Sequence, residues 1–549
     1  MTIKTRLAAY GEKFSFIGLA IATLFFAASV TPSLLPRHFI FQGILSGFAL
    51  AAGYGLGVGG RWLYRFLEIP EPAEKIQRIS MASTSVVVVV AAALSLYRMT
   101  FWQNEVRARM QMPEVETAYP WRTMFIALAV GMLIIAAARL IALCFSALAE
   151  RLSRIVPPRI SKILSAVLVL SLLLLVGEGL VARALLSAAE SASRYADGLI
   201  DDGVARPQNP LASGSDESLI DWDLIGRRGK NFVVGGPTKE EIAEFLQQDA
   251  LQPIRVYAGM RSGDSHRQRA RLALEELKRV GGFDRSHLII ATPTGTGWLD
   301  PGGVDPVEYV LGGDSAIVST QYSYMPSWLT ILVDPKRSID SARALFDEVY
   351  SYWTTLPETQ RPKLYLFGLS LGALGGEVSA DLVTVFEDPI QGAVFSGPPF
   401  PSRQWQRVTA DRDPNSPQWL PSYRDGRLVR FINQFSPPNQ QQPWGPMRYV
   451  YIQYASDPMV FFSPSLLFSE PDWMRGERGV DVSPHLQWRP LVTFLQILFD
   501  LPMATSVPSG YGHNYSPRDY IEAWVAVLDP PEWSQEATAR LKSHFEIDR

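Results

Sequence analysis

The 549-residue chain predicts a multi-span α-helical membrane domain followed by an α/β domain with a mostly parallel sheet. Three observations carry this reading. The first 190 residues contain long apolar runs with few charges. From Pro253 onward, short apolar runs alternate with amphipathic stretches, the pattern of a parallel sheet covered by helices on both faces. Within that second region, KLYLFGLSLGALGGE (363–377) is an apolar strand that runs through Gly368-Leu369-Ser370-Leu371-Gly372 into a small-residue helix.

Five spans are expected in the first domain, at 14–35, 39–58, 81–96, 124–148 and 163–186. Each is about 16–25 residues, enough to cross the bilayer core or nearly so. Arg139 and Glu178 lie toward one end of the fourth and fifth spans, where a long side chain can snorkel to the interface. Glycines 53, 55, 57, 59 and 60 either let helices approach closely or mark the end of the second span. Lys4, Arg6 and Lys13 before the first span resemble the start of a signal peptide, but four further spans favour an anchor. Basic residues then concentrate at Lys4–Lys13, at Arg61, Arg65, Lys75 and Arg78, and at Arg151, Arg154, Arg159 and Lys162; the opposite loops hold Arg37, Arg98, Arg107 and Arg109. By the positive-inside rule the N-terminus is cytoplasmic. An odd number of spans then puts the C-terminal domain on the extracytoplasmic side of an inner or plasma membrane. The sole cysteine, Cys144, lies in the fourth span and excludes an intrachain disulfide.

Residues 191–250 read as linker and entry segment, rich in Asp, Gly, Ser and Pro. The catalytic domain is expected over 251–549. Its elements in order are a strand at 254–260, a helix at 267–280, a strand at 287–291, a helix near 306–318, a strand at 328–333 and a helix at 338–354. The strand before Ser370 follows, then strands at 392–395 and 448–454 and helices at 491–499 and 517–528. The stretches 398–446 and 459–483 are irregular and aromatic. Trp405, Trp419, Trp444, Phe461, Phe462, Leu466, Leu467, Phe468 and Trp473 either roof a substrate site or form the core of the insertions.

Glycine at 368 and 372 removes Cβ atoms that would collide in so tight a strand–turn–helix, and Ser370 is exposed at its apex as a nucleophile. A serine needs a base, and the base an orienting acid, in the chain order Ser, acid, His. Asp457 ends the strand at 448–454, with Asp472 and Asp481 as alternative acids. Of six histidines, His513 in the glycine-rich loop SGYGHNY alone has the right order and setting. The Ser370 and His513 side chains should approach within about 2.6–3.2 Å. Two backbone N–H groups should receive the oxyanion: Leu371, after the nucleophile, and one from the loop Thr292–Trp298, where Thr294, Gly295 and Thr296 are equal candidates.

No His or Cys pairs fall at metal-ligand spacing, and no cofactor motif is present, so neither a metal nor a cofactor is expected. A net charge of −3 without a basic patch gives nucleic-acid binding no support.

The chain resembles a bacterial family of membrane-anchored alpha/beta-hydrolases. The resemblance rests on Thr31-Pro32-Ser33-Leu34-Leu35-Pro36-Arg37, Gln42-Gly43 and Gly53-Tyr54 in the membrane part. In the catalytic part it rests on Thr292-Pro293-Thr294-Gly295-Thr296-Gly297-Trp298, Gln321-Tyr322-Ser323-Tyr324, Pro326-Ser327-Trp328 and the Gly368–Gly372 elbow. It implies the alpha/beta-hydrolase fold and membrane attachment. One departure is that the strand at Ile254 reaches the next through a helix, where the general architecture has hairpins. The expected activity is a serine hydrolase acting on an ester or thioester, with a small or lipid-like acyl substrate and membrane lipids as partners; transfer to an alcohol stays open. The alternative from another class is a non-catalytic membrane assembly or transport component whose hydrolase-like domain only binds.

Overall fold

The computed structural model describes residues 14–174, 182–379, 385, 387–438 and 442–547. Lys4, Arg6, Lys13 and Glu178 lie outside the described residues, as does part of the fifth expected span. In chain order the principal helices are α1 (Phe16–Ser29), α2 (Phe39–Phe66), α3 (Glu74–Arg109), α4 (Pro120–Leu152), α5 (His266–Arg279), α6 (Pro301–Val310), α7 (Ser327–Val333), α8 (Lys336–Thr355), α9 (Leu371–Ser379), α10 (Val492–Asp500) and α11 (Pro517–Leu528). The strands are β1 (Ile254–Ala258), β2 (His287–Thr292), β3 (Ser315–Thr320), β4 (Lys363–Leu369), β5 (Gly392–Ser396), β6 (Val429–Ile432) and β7 (Arg448–Ile452).

The chain divides into two compact units. One takes the described residues up to Leu186 together with Phe462–Met503; the other takes Ser187–Phe461 and Ala504 onward. Among the described residues, α2, α3 and α4 are long and apolar enough to cross a membrane. The first expected span is shorter than its apolar run. α1 ends at Ser29 because Pro32 and Pro36 follow and cannot continue a helix. Close approach explains the glycines. A Cβ on Gly57 would sit 2.6 Å from the Gly18 backbone, and one on Gly47 would sit 2.6 Å from Val130. Gly55, Gly59 and Gly60 meet nothing within 4 Å, so only part of the glycine run serves packing.

The Thr31–Arg37 turn is held by α10. Arg37 Nε donates to Asp500 Oδ1 at 2.8 Å, Arg37 Nη2 donates to the Gln496 carbonyl at 2.9 Å, and Ser33 Oγ donates to Asp500 Oδ2. Gln496 Nε2 donates to the Thr31 carbonyl at 3.0 Å. Both side chains of the ion pair are fully buried. The segment 462–503 therefore belongs to the helical unit. Its Leu466 and Trp473 are buried there, while Phe468 is exposed.

The second unit is built on a seven-stranded sheet in the order β1-β3-β2-β4-β5-β7-β6, with every pairing parallel. Its strands are buried almost end to end, as a sheet covered on both faces requires. Two expected elements are corrected. The run Ser327–Val333 is helix α7, not a strand, and it begins directly after Pro326, which caps it with an extended backbone. The strand lies at Ser315–Thr320, where the sequence pattern predicts the tail of a helix near 306–318; that helix closes at Val310, and glycines 312 and 313, both at positive φ, turn the chain. A seventh strand, β6, lies inside the stretch read as irregular. The expected linker also contains structure, with helices at Arg227–Val234 and Lys239–Leu246.

Candidate active site

Ser370 leaves the end of β4, in the middle of the sheet, at φ +59°. A side chain in this left-handed region costs about 1–3 kcal/mol and persists only when surroundings impose it. Here the Ser370 N–H donates to the Ser396 carbonyl at 2.9 Å, and the Ser370 carbonyl receives the Leu374 N–H at 3.2 Å. A Cβ on Gly372 would lie 2.1 Å from the Thr292 carbonyl oxygen, and one on Gly368 would lie 2.4 Å from the Gly372 backbone. The turn can close only with glycine at both positions. Ser338 Oγ donates to the Leu371 carbonyl at 2.5 Å and fixes the start of α9. The first N–H groups of that helix, Leu371 among them, have no intrahelical acceptor, and they form its positive end beside Ser370.

Asp457 follows β7 and is fully buried. Its Oδ1 accepts the Met459 N–H at 2.8 Å. Its Oδ2 accepts two donors at 2.7 Å each, His513 Nδ1 and the Tyr515 hydroxyl. A carboxylate acceptor at Nδ1 places the imidazole proton there and leaves Nε2 as the basic nitrogen. The loop carrying His513 turns at Gly510 (φ +91°) and Gly512 (φ +56°). It is anchored by Gly512 N–H to Ser456 Oγ at 2.9 Å and by His513 N–H to the Ala504 carbonyl at 2.8 Å. The imidazole lies against Gly397, where a Cβ would sit 2.5 Å from His513 Cε1. Gly397 directly follows Ser396, the residue that holds the Ser370 N–H, so the His513 ring and Ser370 flank the same two residues at the end of β5.

The expected direct bond between Ser370 and His513 is not formed. Ser370 Oγ and His513 Nε2 are both buried, and neither has a hydrogen-bond partner among the described residues. A buried polar atom without a partner costs about 1–3 kcal/mol.

The Thr292–Trp298 loop lies against the elbow through the Thr292–Gly372 contact. Two of its three oxyanion candidates have other partners: Thr294 N–H donates to the Trp298 carbonyl at 2.9 Å and Gly295 N–H to Ser327 Oγ at 2.9 Å. Among the described residues, the Thr296 N–H makes no comparable bond. The loop is braced from the neighbouring strand ends. Tyr257 donates to the Gly297 carbonyl at 2.6 Å, Tyr322 to the Pro293 carbonyl at 3.1 Å, and Gln321 Nε2 to the Thr296 carbonyl at 3.4 Å. This is the physical role of the Gln-Tyr-Ser-Tyr segment.

Sequence reasoning missed Tyr515. Its spacing of two from His513 places it on the same loop, but only the fold aims its hydroxyl at Asp457. Burial, and then the Asp457 charge, push the Tyr515 phenol well above its ordinary range, so it stays a hydrogen-bond donor at every working pH. Asp472 and Asp481, the alternative acids, fall in the helical unit. Below the elbow, burial lifts the Glu377 carboxyl on α9 to about 8 despite the Tyr451 hydroxyl it accepts at 2.9 Å. Among the described residues, no three His, Cys, Asp or Glu side chains gather as a metal-ligating group.

An alpha/beta-hydrolase family matches the chain over residues 254–541, and an alpha/beta-hydrolase family N-terminus matches it over 30–237. No curated protein and no solved structure matches it.

Proposed function

Because the chain belongs to the alpha/beta-hydrolase family, we propose that it is a membrane-attached serine hydrolase that cleaves an ester or thioester of a small or lipid-like acyl group. The observation that carries this reading is the Nδ1 bond from His513 to Asp457. It leaves Nε2 basic and unpaired at the strand end where Ser370 Oγ is also buried and unpaired.

In this reading His513 Nε2 takes the Ser370 proton as Oγ attacks the acyl carbon. The carbonyl π bond breaks, and its electron pair goes to the oxyanion, which the N–H of Leu371 and that of Thr296 receive at the positive end of α9. Thr294 and Gly295 drop out as donors because their N–H groups are engaged. His513 returns the proton to the leaving oxygen or sulfur as the intermediate collapses to an acyl-Ser370. Water, deprotonated by the same nitrogen, then attacks the acyl carbon and frees the acid. Asp457 stabilises the charged imidazole, and Tyr515 and the Met459 N–H keep the carboxylate aimed.

The test is hydrolysis of p-nitrophenyl esters of graded chain length by the full-length protein in detergent. Ser370→Ala and His513→Ala are each expected to lose at least about 10³-fold in kcat. An unchanged rate in Ser370→Ala would refute the assignment, and an inactive wild type would leave the binding-only reading. We further propose that the chain is multi-pass with its hydrolase on the extracytoplasmic side. Protease added to intact cells should then degrade that domain, and full protection would reverse the orientation.

A further inference from the structure

Gln321 directly follows β3 and is fully buried, and its side chain ties together several segments at the carboxyl edge of the sheet. Its Oε1 accepts the Met260 N–H at 3.0 Å, just beyond β1. Its Nε2 donates to Asp197 Oδ1 at 3.1 Å, to the Ser323 carbonyl at 3.2 Å and to the Thr296 carbonyl at 3.4 Å. The amide nitrogen carries two hydrogens for these three acceptors, and a carboxylate is the strongest acceptor among them. Turned over, the amide would set its oxygen against two carbonyls and a carboxylate. Asp197 therefore decides which way the amide faces.

Asp197 is buried at the end of the helix Ala182–Asp197. Its carboxylate lies flat against Gly226, where a Cβ would sit 2.4 Å from both oxygens. Gly226 caps the helix Arg227–Val234, so the carboxylate rests at that helix's positive end. Burial pushes the Asp197 carboxyl up, and the Gln321 bond, Arg261, Lys230 and Arg228 pull it back. Among the described residues Asp197 forms no salt bridge, and the side chain hydrogen-bonded to it is Gln321. A buried carboxylate with a neutral amide as its partner is costly, and apolar packing would fill the space without that cost.

Thr294–Gly297 is a turn closed by the Gly297 N–H on the Thr294 carbonyl at 2.9 Å. The direction of the Thr296 N–H is set by the backbone on either side of it. Ser327 Oγ holds the Gly295 N–H before it at 2.9 Å, and Gln321 Nε2 holds the Thr296 carbonyl after it. Gly297, at φ +80°, lets the glutamine come this close, since a Cβ there would lie 2.8 Å from Gln321 Cγ. We infer that Asp197 is a positioning residue for the proposed hydrolysis: it orients the Gln321 amide, and the amide holds the turn so that the Thr296 N–H meets the oxyanion. The inference rests on the reading of Ser370 as nucleophile and Thr296 as oxyanion donor.

The experiment follows p-nitrophenyl butyrate hydrolysis by the full-length protein in detergent, and its inhibition by butylboronic acid. The boronic acid bonds to Ser370 Oγ as His513 takes the proton, and the tetrahedral boronate sets an oxygen where the oxyanion would form. Asp197→Ala and Gln321→Met should each lower kcat at least about tenfold with KM unchanged. Boronate affinity should fall by the same factor as kcat/KM. The double variant should be no slower than Gln321→Met, because Asp197 acts through the glutamine. Asp197→Asn, whose carbonyl oxygen can accept the same N–H, should recover most of the rate. A kcat unchanged in Asp197→Ala, a change confined to KM, losses that multiply in the double variant, or an Asp197→Asn as slow as Asp197→Ala would overturn the proposal. An Asp197→Ala chain that fails to fold would also overturn it, by making the role structural. These outcomes leave the hydrolase reading standing if the parent is active and Ser370→Ala is not. A parent that hydrolyses no ester would overturn both.

Discussion

Tyr515 donates its hydroxyl to Asp457 Oδ2, the same oxygen that receives His513 Nδ1, at 2.7 Å in each case. The carboxylate is thereby clamped from two sides, with the Met459 N–H on its other oxygen. Tyr515→Phe removes a hydrogen bond to a charged group, a loss of about 1.5–3 kcal/mol. The expected outcome is a fall in kcat of at least about tenfold with little change in KM. Ester kinetics on the purified variant checks this, and a change confined to KM would place Tyr515 in substrate binding.

Gly372→Ala forces a methyl group to within 2.1 Å of the Thr292 carbonyl. Overpacking of this kind costs about 1–3 kcal/mol, and here it separates the elbow from the Thr292–Trp298 loop. The variant should fold with a lowered Tm and hydrolyse no ester. Full activity would show that the elbow tolerates a wider turn.

Glu377 gives the second unit a pH signature. Its folded carboxyl sits at about 8, above the ordinary value of 4.5. The folded state therefore holds a proton that the unfolded chain releases. The stability from this proton is fully present below about 4.5 and is lost as pH rises through about 8. Tm measured from pH 5 to pH 9 should decline less steeply in Glu377→Gln than in the parent. Parallel curves would mean that Glu377 is already ionised in the fold.

The Arg37–Asp500 pair tests the membership of the 462–503 segment in the helical unit. Arg37→Met leaves Asp500 buried without its partner, which costs about 3–5 kcal/mol. Arg37→Met with Asp500→Leu removes both charges and should recover most of that loss. Thermal melts in detergent of the parent, Arg37→Met, Asp500→Leu and the double variant provide the cycle, and additive losses would show that the two side chains act separately.

The geometry around Ser370 was legible where its logic is local or ordinal. Gly368 and Gly372 announce the elbow because the clash they avoid is set by five consecutive residues. Asp457 and His513 could be selected by chain order and loop setting. Tyr515 could not, because its target is 58 positions away and nothing in GYGHNY specifies direction. Ser315–Thr320 and Ser327–Val333 were exchanged in type because both are short apolar runs, for which periodicity cannot separate a buried strand from a buried helix turn. The segment 462–503 read as part of the hydrolase because it lies between Asp457 and His513 in sequence. Its true neighbours are fixed by contacts such as Arg37–Asp500, 463 positions apart.

The most direct measurement is labelling of the full-length protein with a fluorophosphonate probe, followed by peptide mapping of the adduct. A phosphonylated Ser370, with no labelling in Ser370→Ala and almost none in His513→Ala, is the predicted result. Labelling that persists in Ser370→Ala, or an adduct on another residue, would contradict the account.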